Sequence, residues 1–209
     1  IVRDGERFGR SDLGGGERVL VEYVSANPTG PLNVVNARAA AVGSALVRLL
    51  RATGHVSEGE FYINDAGHQV ELLGSSLAAR FAERVGEPRA FPQSGYLGGY
   101  LNDLAADLPA AEARAALARD DSAWFRDQAI TRIVAWQQRD LADYGAEFAV
   151  WFRESSLHES GAVMRALEAL EARGVTYRAR RPETDLSGAA MDPEDEEPGA
   201  ADATFLRTT

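Results

Sequence analysis

The sequence predicts an α/β fold in which a parallel sheet carries a mostly helical insertion, and three observations predict it. Two short apolar strands, Val19–Ser25 and Glu60–Asn64, are separated by an Ala-rich helix of the length a parallel crossover requires. A third strand-like segment, Glu147–Phe152, appears much later. Between the second and third strands, from Gln69 to about Asp143, the apolar spacing is helical.

In the first strand Val19, Val21 and Tyr23 share one face, and Leu20 and Val24 the other. Apolar residues on both faces predict a strand covered from both sides. Pro28, Gly30 and Pro31 then make a turn, and a helix is expected from about Leu32 to Thr53, stopped by Gly54. Helices follow from Val70, over Leu101–Leu108 and Ala110–Arg119 with Pro109 between them, and over Ser122–Tyr144. In the loop Pro92–Tyr100, packing of Tyr96 and Tyr100 between helices is the better reading, against stacking on a ligand. A helix over Ser160–Arg173 ends at Gly174, the acidic run at 192–202 reads as a solvated loop, and Ala203–Leu206 reads as a last strand. Residues 1–16, with Gly14, Gly15 and Gly16, read as a linker or the tail of a preceding domain.

The 209 residues suffice for one large domain or a core plus a smaller insertion. A net charge of −10 argues against a broadly basic nucleic-acid surface. No apolar run approaches a membrane span, and no disulfide or thiolate metal site is possible without cysteine. A cytoplasmic protein is the expectation. All 22 basic side chains are arginine, which codon composition explains, and the start at Ile1 suggests an excised or partial domain.

Three segments could carry chemistry. Ser25, Asn27 and Thr29 lie where open α/β sheets place ligands, and the following helix start suits an anion. Turn stabilisation explains the same residues equally well. Glu154 follows the third strand and could accept a guanidinium through both oxygens, although helix capping around Ser156 or Ser160 is the better reading of the residues alone. Asn64–Gln69 (NDAGHQ) follows the second strand; a turn and helix cap explains it better than a metal site, and no metal ligand set is expected.

Taken in order, these segments resemble the arginyl-tRNA synthetases, a class I family. VEYVSANPTGPLNVVNAR stands where the family reads VEYVSANPTGPLHVGHAR; Asn64–Gln69, Phe91–Tyr100, Trp151–Gly161 and Leu206–Thr209 match four further motifs. The resemblance implies a Rossmann-like nucleotide-binding half-domain (17–69 and 146–209) with a helical insertion (70–145). It implies ATP-dependent activation of arginine and transfer to tRNA(Arg), with Mg²⁺ accompanying ATP and the remainder of a synthetase as partner. By the same resemblance, Ser25, Asn27 and Glu154 bind arginine. Pro28, Thr29, Gly30, Pro31, Leu32, Asn33, Val35 and Asn36 hold ATP, with Asn33 and Asn36 at the catalytic histidine positions. Asparagine cannot become a cation, and Val35 replaces a glycine where a side chain could crowd the adenine. A second implication is a degenerate paralogue that binds arginine or tRNA without catalysis. The second half of the family's nucleotide fold would follow Thr209, so the 209 residues alone are expected to be inactive.

Overall fold

The computed structural model describes residue 5, residues 8–180 and residues 202–207. Strands β1 (Arg18–Glu22), β2 (Val56–Ile63) and β3 (Val150–Arg153) form a parallel sheet in the order β1-β2-β3, with Leu20 opposite Glu58 and Phe61 opposite Trp151. Helix α1 (Val34–Ala52) makes the first crossover. The second contains α2 (His68–Arg84), α3 (Tyr100–Ala106), α4 (Ala110–Ala118) and α5 (Ser122–Asp143). After β3 come α6 (Ser155–Glu159), α7 (Ala162–Ala172) and an antiparallel pair, β4 (Thr176–Arg180) with β5 (Asp202–Leu206). Most of the acidic run lies outside the described residues.

Two apolar clusters organise these elements. One joins the sheet to α1 and α5 through Phe61, Ile63, Ala40, Val47, Ile130 and Val134. The other lies among α2–α5 and includes Leu73, Leu77, Phe81, Leu101, Leu117 and Phe125. Helices α2 and α5 contribute to both, so the helical layer and the sheet share two continuous supports. Close approach of α1 to the sheet requires Gly43, because a Cβ there would sit 2.1 Å from the Tyr23 ring. The Tyr23 ring in turn stacks on Phe148 with centroids 4.3 Å apart.

Several expected boundaries move. The first strand ends at Glu22, not Ser25, because Val24 and Ser25 adopt positive φ of 67° and 40°. The Ser25 N–H bonds back to the Tyr23 carbonyl at 3.0 Å, closing a three-residue turn of a rare, strained type. Among the described residues the strand is covered on one side only: α1 and α5 pack on the face of Phe61 and Ile63, and Leu20 on the other face is 53% exposed. The second strand starts four residues earlier than expected; its buried positions include Ser57 and Gly59, which carry no apolar pattern. The helix expected over Ser160–Arg173 begins at Ala162, since Gly161 at φ 69° separates it from α6. Strand β4 has no counterpart among the expected elements; it follows α7 and pairs with β5.

Candidate functional site

The three parallel strands end on one side of the sheet, and the polar groups singled out in the sequence gather there. Ser25 accepts a hydrogen bond from the Tyr62 N–H at 3.1 Å through Oγ, substituting for a ladder bond lost where β1 turns away. Asn27 Nδ2 donates to Gln69 Oε1 at 2.8 Å, and Asn27 Oδ1 accepts from Asn64 Nδ2 at 3.2 Å. The Ser25–Thr29 and Asn64–Gln69 segments are therefore joined by one amide network across the ends of β1 and β2.

Asp65 ties the third segment to the second. It is buried, and its carboxylate accepts from the Ser155 N–H (2.8 Å), Ser155 Oγ (3.0 Å) and Arg153 Nη1 (2.9 Å). This fixes the chain on both sides of Glu154, whose own N–H bonds to the Ile63 carbonyl at 3.0 Å. Glu154 Oε2 is buried without a hydrogen-bond partner among the described residues, and Oε1 lies 3.7 Å from His158 Nε2. A buried carboxylate oxygen with no donor is costly unless something else supplies one. The capping reading of this segment fails: Ser156 and Ser160 hydroxyls donate to the Arg153 and Leu157 carbonyls, and neither α6 nor α7 has a side-chain cap. The cap expected within Asn64–Gln69 is likewise absent, as Gly67 occupies the N-cap of α2.

The start of α1 is organised differently from an open anion site. Asn33 is its N-cap: Oδ1 accepts from the N–H groups of Val35 (2.9 Å) and Asn36 (3.2 Å), while Asn36 Oδ1 accepts from the Asn33 N–H (2.9 Å). This reciprocal capping box satisfies backbone donors that a phosphate could otherwise use. With both amide oxygens engaged by the helix start, the capping box leaves each Nδ2 unused as a donor. Val35 is 59% exposed beside them.

The 26–31 turn is held from behind. Gln137 on α5, 1% exposed, donates through Nε2 to the carbonyls of Asn27 (3.2 Å) and Gly30 (3.1 Å). Tyr100 Oη donates to the Thr29 carbonyl at 2.5 Å. Burial, with a smaller contribution from Tyr96, pushes the Tyr100 phenol up to about 12, so it stays a donor through neutral pH. Pro28 is fully buried, while Pro31 is exposed and Leu32 half-buried. Asp65, Gln137 and Asn64 were not assigned roles from the sequence. Only the NDAGHQ segment carried a signal for two of them; nothing about Gln137 in an amphipathic helix marks it. Among the described residues no group of three or more His, Asp or Glu could hold a metal ion.

Comparison with known proteins bears on the family and the fold. No family model matches the chain. An arginine–tRNA ligase from Synechococcus sp. (strain JA-3-3Ab) is 43% identical over 217 aligned residues, covering 100% of this chain and 34% of the relative. Another, from Gloeobacter violaceus, is 44% identical over 87% of this chain and 30% of its own length. The chain thus spans about a third of the length of these curated relatives. A solved structure from Campylobacter jejuni, described as an arginyl-tRNA synthetase, matches with a TM-score of 0.75 at 25% identity over 92% of this chain and 46% of that one. The Thermus thermophilus arginyl-tRNA synthetase matches with a TM-score of 0.56 at 25% identity, over 98% of this chain and 35% of that one. With sequence and fold agreeing over nearly its whole length, the chain belongs to the arginyl-tRNA synthetase family.

Proposed function

We propose that this chain supplies the arginine-binding and ATP-binding half of an arginine–tRNA ligase, which activates arginine as an adenylate and passes it to tRNA(Arg). The observation that carries this reading is Glu154: a buried, unpartnered carboxylate oxygen at the ligand-bearing edge of a parallel sheet, beside the Asn27–Asn64–Gln69 network. A guanidinium supplies the missing donors in a bidentate geometry. Ser25 and Asn27 then face the amino-acid head group, with Asn27 held in orientation by its two amide partners.

In this reading residues Pro28–Leu32 and Val35 shape the wall against which ATP lies, and Asn33 and Asn36 meet its phosphates through Nδ2 donors. These donors are neutral, so they stabilise developing phosphoryl charge by hydrogen bonding and not as cations. Mg²⁺ would neutralise phosphate charge when bound with ATP, and the described residues provide no three-ligand set for it. Residues 17–69 and 146–209 form the nucleotide-binding half and 70–145 its helical insertion.

The capping box favours a second reading. Because Asn33 and Asn36 satisfy the helix start internally, a paralogue that binds arginine or tRNA without forming the adenylate is the alternative. The two are separated by assaying the complete gene product for arginine-dependent exchange of pyrophosphate into ATP. Exchange above background supports the ligase. Arginine binding without exchange supports the paralogue, and neither binding nor exchange sinks both.

A further inference from the structure

We infer that Gln137 and Tyr100 are positioning residues: from the helical layer they clamp the carbonyl side of the 26–31 turn and so fix where Asn27 and the start of α1 present their polar groups. Three carbonyls of this turn, those of Asn27, Thr29 and Gly30, accept from just these two side chains. The partners are far apart in sequence, by 107 and 110 residues for Gln137 and 71 for Tyr100, so local turn chemistry does not explain them.

Three further observations point the same way. Gln137 Oε1 is buried with no hydrogen-bond partner among the described residues, on a helix whose neighbouring buried positions are apolar. An unsatisfied buried acceptor costs stability, so an amide at this position is explained by what its Nε2 holds and not by packing. The Tyr100 ring lies 3.5 Å from where a side chain on Gly30 would begin, so the turn and the phenol are fitted to one another. Finally, the chain enters the turn through Val24 and Ser25 at positive φ. Such conformations persist where surrounding structure over-determines them; Tyr62 and the Tyr23 carbonyl hold Ser25 at the entry, and the clamp holds the turn that follows. Neither Gln137 nor Tyr100 needs to touch a ligand. Each acts through the backbone, which makes the helical insertion the part of the molecule that sets the geometry of the site.

The kinetic part of the test rests on the ligase reading above; the structural part does not. In the complete gene product, Tyr100→Phe removes one hydroxyl, and Gln137→Met keeps the side-chain length while removing both donated bonds. Hydrogen exchange of amides 26–36, the thermal midpoint and arginine-dependent pyrophosphate exchange are measured for each. The expected result is turn exchange faster by about tenfold, with the exchange rates of α2 and α5 amides unchanged. The kcat of pyrophosphate exchange falls about tenfold and KM for arginine stays within about twofold, because alignment and not contact is lost. Turn protection equal to the parent in both variants overturns the inference, as does activity that falls only with the folded fraction. If Gln137→Met does not fold, Tyr100→Phe decides alone. A parent without exchange activity defeats the ligase reading, and hydrogen exchange then decides the clamp by itself.

Discussion

In the proposed function Asn33 and Asn36 would each do two things with one amide. Their oxygens close the helix start, and their Nδ2 groups are what remains for a ligand. Aspartate separates these roles, because its carboxylate accepts as well as the amide oxygen at the N-cap and in the first turn but offers an anion where the amide offered a donor. Asn33→Asp and Asn36→Asp are expected to keep the thermal midpoint while weakening ATP binding by about tenfold or more, with arginine binding unchanged. Calorimetric titration of ATP and arginine into each variant checks this; ATP affinity equal to the parent would confine both residues to a capping role. Glu154→Gln tests the other end of the site. Replacing a carboxylate that meets a guanidinium is expected to cost about 10- to 100-fold in arginine affinity, since hydrogen bonds to charged groups contribute about 1.5–3 kcal/mol. The fold should not change, because Asp65 and not Glu154 fastens this segment.

At the scale of elements, the packing of α1 on the sheet depends on Gly43. Gly43→Ala would place a methyl group against the Tyr23 ring and is expected to destabilise the protein by about 1–3 kcal/mol, read by chemical denaturation. The elements were legible where apolar periodicity was strong: α5 was expected over Ser122–Tyr144 and spans Ser122–Asp143. They were illegible where small residues do the packing. Ser57 and Gly59 are buried strand positions that look polar or neutral in sequence. The turn at Val24 hides in an apolar run because a positive φ at a β-branched residue has no sequence signature. Tyr100 offers a test of the contact between α3 and the turn. Its raised folded value means the native state holds the phenolic proton more tightly than the unfolded chain, where tyrosine ionises near 10. That contribution is intact below about pH 10 and is lost as pH rises through about 12. Tyr100→Phe should flatten the decline in stability across this window, leaving the smaller slope from Tyr23 and Tyr62, which burial also raises.

For the whole molecule, the sheet supplies the edge on which the candidate site lies, and side chains of the helical layer bond to its first turn. The family motifs made the place of the candidate site legible, because NPTG, NDAG and the Glu154 segment fall at the ends of three strands that the fold brings side by side. What motifs could not convey is which contacts are internal. Asn27 is engaged by Asn64 and Gln69, Ser25 by Tyr62, and the helix start by its own asparagines, whereas Glu154 Oε2 alone is left without a partner in this set. Glu154 is thereby singled out as the proposed seat of a guanidinium. The most direct measurement is arginine-dependent pyrophosphate exchange by the complete gene product and its Glu154→Gln variant, with citrulline, the uncharged analogue, as competitor. The account predicts exchange in the parent, loss of about 10- to 100-fold in kcat/KM for arginine in the variant, and little competition by citrulline in the parent. Equal kcat/KM for arginine in parent and variant would contradict it.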